Sequence, residues 1–85
     1  MKVVATEKFA DLYKKMPLDI QDQADKALHR LELQPFYPSL GHKKIAGYED
    51  IYEIRVSKNY RITYQKIGDT AYLRKIGTHD LLKNP

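Results

Sequence analysis

A chain of 85 residues suits a single domain, expected over 1–85, near the size at which one hydrophobic core is only just sufficient without staples. With 42% hydrophobic and 31% charged residues and little glycine or proline, it falls in the ordered globular class, outside the disordered and collagen-like ones. Cysteine is absent, which excludes disulfides and thiolate metal sites. The net charge is +4 and unevenly placed: residues 1–41 hold six Lys/Arg against six Asp/Glu, residues 42–79 hold eight against four. A cationic second half attracts polyanions or an acidic partner, or serves solubility alone.

The opening MKVVATEKF is too short an apolar run for a signal peptide, and no window approaches the ~20 apolar residues of a membrane span. A soluble, cytoplasmic protein without membrane contact is expected. Lys2 to Ala5 reads as a first strand, and Thr6 as the cap of a helix carrying Phe9, Leu12, Tyr13 and Met16 on one side. Pro17 restarts the pattern, after which Ile20, Ala24, Ala27, Leu28 and Leu31 recur at the helical period. Asp19, Asp22 and Asp25 lie towards the helix start, where the dipole favours carboxylates. Pro35 bars continuation beyond Gln34. A helical hairpin follows from this spacing.

The segment PFYPSLGHKKIAGYED is punctuated by proline and glycine and reads as an irregular connection. Ile51 to Val56, Asn59 or Tyr60 to Ile67, and Thr70 to Ile76 then read as three strands of an antiparallel meander. The fold class is therefore α+β: an N-terminal strand, a helical hairpin and a three-stranded meander. Pairing Val56 with Tyr60 sets Ile54 opposite Ile62 and Tyr52 opposite Tyr64, a continuous apolar face for the helices. A slip by one residue would destroy that match. The same register sets Arg55 opposite Arg61, and Glu53 opposite Thr63, on a face expected to be open.

Like charges directly opposite on a sheet repel, yet paired guanidinium groups also fork around a phosphate. Two readings stay open: an anion site centred on Arg55 and Arg61, or two arginines splayed into solvent with Glu53 partly neutralising Arg55. His79, after the last strand in KIGTHD, either projects over the open face or is capped by Asp80. Imidazole is the side chain best suited to proton transfer near neutrality. Together, Arg55, Arg61, His79 and Glu53 would suit metal-free RNA cleavage. A base, His79 or Glu53, deprotonates a ribose 2′-hydroxyl, that oxygen attacks the adjacent phosphorus, and arginines stabilise the phosphoryl oxygens.

His42, Lys43 and Lys44 lie in the connection, as part of a cationic surface tracking a nucleic-acid backbone or as a solvated basic loop. Lys43, Lys44, Lys58 and Tyr48 are the candidate RNA contacts. Lys58 at the hairpin tip, with Lys66, Arg74 and Lys75, reads as surface or partner-docking edge in preference to a catalytic group. Tyr52 is assigned to packing. No metal-ligand spacing, glycine-rich phosphate loop or nucleophile elbow is present, so no metal and no cofactor are expected.

The order of elements and the run GHKKIAGYEDIYEIRVSKNYRITYQ, with the ending LRKIGTHDLL, resemble the RelE/ParE superfamily of toxins from bacterial and archaeal toxin–antitoxin systems. The resemblance covers nearly the entire chain, and IYEIRVSKNYRITYQ is its most specific part. It implies a cognate antitoxin that wraps and neutralises the toxin in a hetero-oligomer. In the RelE-like branch it further implies a ribosome-dependent endoribonuclease that cleaves mRNA, and this branch is the closer one. Arg55 then falls where that branch places a catalytic cation and Arg61 on its phosphate-binding arginine. His79 stands where RelE has an arginine and related toxins use a histidine. Glu53 occupies a position that is basic in RelE, and the C-terminal tyrosine of RelE has no counterpart in LLKNP. The alternative is a ParE-like DNA gyrase inhibitor or a non-catalytic toxin-like protein-binding module.

Overall fold

The computed structural model describes residues 1–85. The elements run β1 (Lys2–Ala5), α1 (Glu7–Lys14), α2 (Leu18–Leu33), β2 (Lys43–Lys44), β3 (Ile51–Arg55), β4 (Tyr60–Ile67) and β5 (Thr70–Thr78). Short 3-10 turns cover Pro38–Leu40 and His79–Lys83. The strands form one five-stranded sheet in the order β1-β5-β4-β3-β2, with the helices on one face.

Local chemistry explains the boundaries. Thr6 caps α1 by accepting from Phe9 N at 3.2 Å, while its hydroxyl donates to Leu73 O at 2.6 Å, tying the helix start to β5. Pro17, at the N-cap of α2, lacks the N–H that a helix start would leave unpaired anyway. Where the helices meet, Gln21 Nε2 donates to Met16 O at 3.0 Å. Gln34 is the last residue able to follow α2 before Pro35.

The meander register is the expected one: Tyr52 pairs with Tyr64, Ile54 with Ile62 and Arg55 with Arg61. The helices cover the face carrying Ile54, Ile62, Tyr64, Leu73 and Ile76, all at most 2% exposed, and bring Phe9, Ala24, Ala27 and Leu31 against it. That layer is the core, and burying such side chains supplies roughly 1.5–3 kcal/mol each.

Several features depart from the expectation. The first strand lies parallel to the last, Val3 opposite Ala71, so the chain's start and end close one side of the sheet. Lys43 and Lys44 are not in an irregular loop but form a short edge strand against Tyr52 and Glu53. In β5 the register shifts: Thr63 faces Lys75 while Tyr64 faces Leu73, leaving Arg74 as the extra residue of a β-bulge. Beyond the bulge the alternation is reset, which puts Ile76 into the core and Lys75 on the far face.

The far face is not open, which corrects the sequence reading. After β5 the chain folds back as the 3-10 turn and crosses β4 and β5. Pro85 is buried there; its main-chain oxygen accepts from Thr63 Oγ1 at 3.3 Å and from Arg74 Nε at 3.2 Å. Lys75 Nζ donates to Asn84 O at 2.6 Å. Thr63 is fully buried under this segment, which explains a buried hydroxyl on a face expected to meet water. Gly77 leaves room for it: a Cβ there would stand 3.3 Å from Leu81 Cδ2.

Candidate functional site

The β3–β4 hairpin carries the arginine pair, and its chemistry keeps the two charges apart. The Nη1 of Arg61 donates to the carbonyl oxygens of Ser57 at 2.8 Å, Tyr60 at 3.0 Å and Lys58 at 3.2 Å. Its Nε stands 3.7 Å from Glu53 Oε1, and both side chains of this ion pair are little exposed, 12% and 14%. Arg61 is thus the clasp of the hairpin turn, neutralised by Glu53. Glu53 partners Arg61, where the sequence reading had it partly neutralising Arg55, and it is no free base.

Arg55, although opposite Arg61 in register, turns the other way. Its Nε and Cζ lie against Gly41, where a Cβ would be 3.8 and 4.0 Å away, and its guanidinium reaches a cavity shared with α2. The two guanidinium groups therefore do not form a shared fork over the sheet. Repulsion is relieved by divergence and by one carboxylate, without any ligand.

His79 is exposed at the start of the C-terminal turn, directly after Thr78, which pairs with Tyr60. It shares an open cavity of about 720 Å³ with Lys58, Asn59, Tyr60, Thr78 and Asp80. The hairpin tip held by Arg61 and the imidazole from the end of β5 therefore line one depression. Lys58, read from the sequence as a surface or docking-edge residue and a candidate RNA contact, is the cation that the fold sets beside His79. Only two ion pairs form in the chain, Lys26 with Asp22 and Arg61 with Glu53, so the Lys58 ammonium makes no ion pair, with Asp80 as the one carboxylate lining its cavity.

The remaining sequence candidates are dispersed. Lys43 and Lys44 project from the edge strand and are exposed. Tyr48 is 44% exposed in the turn between β2 and β3, away from the His79 cavity. His42 is neither loop cation nor backbone tracker: Nδ1 lies 3.0 Å from Pro35 O, and Nε2 meets the Tyr64 hydroxyl. Because a carbonyl only accepts, Nδ1 carries the proton and Tyr64 donates to Nε2. Tyr52 stacks on Tyr64 with centroids 5.4 Å apart, and His42 meets Tyr52 edge-on at 5.5 Å. Burial, with a smaller contribution from Tyr52, pushes the Tyr64 phenol well above its ordinary range, so it stays a donor. No group of three or more His, Asp or Glu side chains stands close enough to hold a metal ion.

Residues 18–80 match the ParE-like toxin domain. The chain belongs to this family, within the RelE/ParE superfamily. No curated protein sequence matches it significantly. Among solved structures, the RelB–RelE antitoxin–toxin complex from Methanococcus jannaschii is similar at a TM-score of 0.78 and 24% identity, over 95% of each chain. The intact RelBE toxin–antitoxin complex of E. coli gives 0.72 and 22%, over 91% of this chain and 94% of that one. A YoeB/ParE toxin from Agrobacterium tumefaciens gives 0.74 and 16%, over 93% and 99%. At such identities the likeness establishes the fold. No helix is long and apolar enough to cross a membrane.

Within this fold, sequence reasoning missed the pairing of Lys58 with His79 and the diversion of Arg55. The first was readable in principle. Tyr60 opens β4 and Thr78 closes β5, so the hairpin tip and the residue after β5 must be neighbours.

Proposed function

We propose that this chain is the toxin of a toxin–antitoxin pair and that it cleaves mRNA at the ribosome by attack of a ribose 2′-hydroxyl on the adjacent phosphate. The observation that carries this reading is the cavity in which His79 meets Lys58 and Tyr60. A neutral His79 takes the 2′-hydroxyl proton, O2′ bonds to phosphorus, and the P–O5′ bond breaks to leave a 2′,3′-cyclic phosphate. The departing O5′ takes its proton from Lys58 or Tyr60, and the ammonium stabilises charge on the phosphoryl oxygens. DNA has no such nucleophile. Arg61, held by Glu53, is a positioning residue: it fixes the turn that presents Lys58. Arg55 binds substrate away from the reacting atoms.

A cognate antitoxin is the partner this reading assigns, supported by family membership and by the solved complexes of RelE with RelB. A basic toxin surface suits an acidic or amphipathic peptide, which raises the association rate as well as the affinity.

The test is purified protein on programmed ribosomes. Discrete message breaks are expected, and His79→Ala should lower their rate by ~10²–10⁴-fold while the circular dichroism spectrum is unchanged. Intact messages beside arrested growth would overturn the nuclease reading. A second reading, a ParE-like toxin without RNA chemistry, is favoured by one observation: Arg61, the expected phosphate ligand, is already engaged by three carbonyls and a carboxylate. Inhibition of DNA gyrase by the purified protein would support it.

A further inference from the structure

On the other side of the hairpin from His79, a cavity of about 280 Å³ opens between α2, the turn Pro38–Leu40 and the end of β3. Gln23, Lys26 and Arg30 reach it from one stripe of α2, Ser39 from the turn and Arg55 from β3, while Ala27 and Leu40 form its apolar floor. None of its lining residues is acidic. Asp22 holds Lys26 at 3.2 Å in an exposed pair worth little in water. Arg30 and Arg55 have no carboxylate partner.

The donors are preset. Arg30 Nη1 donates to Ser39 Oγ at 2.9 Å, which leaves the Ser39 proton free to be given to a ligand. The Arg30 guanidinium stands over the Tyr37 ring, Cζ 4.3 Å from its centroid, which restrains it while its N–H groups other than the one on Ser39 stay available. Arg55 lies on Gly41, whose φ of +53° shapes the turn beside it. Two guanidinium forks, a hydroxyl and an amide around one cavity exceed what a carboxylate can accept and suit a tetrahedral phosphate.

We infer that this cavity is a phosphate-binding site for single-stranded RNA, distinct from the His79 cavity and flanking the same hairpin. RNA is favoured over an acidic peptide because aromatic surface borders the site. Tyr37 is 38% exposed beneath Arg30, and its ring offers a stacking platform for a base. Val56 lines this cavity and Lys58 the other, so a strand anchored at Arg30 runs past the hairpin towards His79. The inference deepens the nuclease reading and rests on RNA being the substrate.

The experiment is a fluorescence-anisotropy titration of the full chain with a short single-stranded 2′-O-methyl oligoribonucleotide across a salt series. This probe lacks the attacking hydroxyl, so binding is read without cleavage. Arg30→Gln and Lys26→Gln should each weaken binding roughly 3- to 10-fold and lower the log–log salt slope by ~0.7 per lost phosphate contact. Lys2→Gln, at the opposite sheet edge, should change neither. If Arg30→Gln does not fold, Lys26→Gln combined with Ser39→Ala carries the same decision. Unchanged affinity and slope in the variants would overturn the inference, as would an oligoglutamate peptide binding through Arg30 more tightly than the RNA. Arg30-dependent binding in a protein that makes no message breaks would remove the nuclease reading and leave this site standing. Breaks together with binding indifferent to Arg30 would remove this site alone.

Discussion

Arg61 and Glu53 sit diagonally across the β3–β4 pair, Nε to Oε1 at 3.7 Å, while the same guanidinium closes the hairpin turn through Ser57 O at 2.8 Å. One arginine thus serves as both counter-ion and turn clasp. Arg61→Ala strips the turn carbonyls of their donor and leaves Glu53 unpaired in a little-exposed position. A loss of about 1–3 kcal/mol is expected, and at ~4–8 °C per kcal/mol for a domain of this size it is readable by thermal melting. Arg61→Lys should recover little of it, because one ammonium does not span three carbonyls and a carboxylate. A melting temperature equal to wild type in Arg61→Ala would refute the clasp.

Lys58 makes the opposite prediction. Its side chain is exposed at the hairpin tip, without an ion pair, in the cavity that holds His79. Lys58→Ala should leave stability within about 0.5 kcal/mol and lower message cleavage by ~10- to 100-fold through the lost phosphoryl contact. Cleavage at the wild-type rate in Lys58→Ala would place the reacting phosphate elsewhere.

The contrast shows what a linear sequence carries. Strand pairing was legible down to single residues because one apolar face demands one register, so Arg55 opposite Arg61 followed from Ile54 opposite Ile62. The directions of those arginines were not, since they depend on Gly41 and on turn carbonyls that only the folded chain brings near. His42 looked like one of three basic loop residues, yet it sits among Tyr52, Tyr64 and Phe36. Its partners are 10 and 22 residues away for the tyrosines, a spacing without local periodicity. The bulge did leave a trace: in AYLRKI two charged residues separate Leu73 from Ile76, where strict alternation allows one.

The buried phenol at that His42 cluster gives the chain an alkaline limit. Tyr64 is fully buried and its folded-state pKa is raised by burial and then by Tyr52, so it keeps its proton where an unfolded tyrosine, near pH ~10, loses it. Stability from a raised acid is complete below the unfolded value and is lost as pH rises past it, by up to ~1.4 kcal/mol per pH unit. Tyr13 acts in the same direction through its bond to the Asp25 carboxylate, and then through burial. Lys75 opposes them: burial, then Lys8 and Arg74, lower its pKa, so the folded state binds fewer protons there. Denaturant melts above pH ~10 should therefore fall less steeply for Tyr64→Phe than for wild type, although this variant loses about 1 kcal/mol near neutrality with its bond to His42. Parallel pH slopes would show that Tyr64 ionises in the folded state as freely as in the unfolded one.

Deleting Arg74 tests the bulge against its own side chain. The extra residue lets Leu73 and Ile76, 1% and 2% exposed, share the helix-covered face although three positions apart. Deletion makes Leu73, Lys75 and Ile76 consecutive, so strict alternation keeps Leu73 and Ile76 on the helix-covered face and Lys75 on the far one, and the ladder to β4 runs on without a bulge. Native near-ultraviolet circular dichroism and dispersed amide resonances are expected. Arg74→Ala keeps the residue count and removes only the 3.2 Å bond from Nε to Pro85 O, a change of about 1 kcal/mol or less. If the deletion unfolds the chain while the alanine variant does not, the bend that the bulge gives β5, and not the in-and-out alternation alone, is what the fold requires.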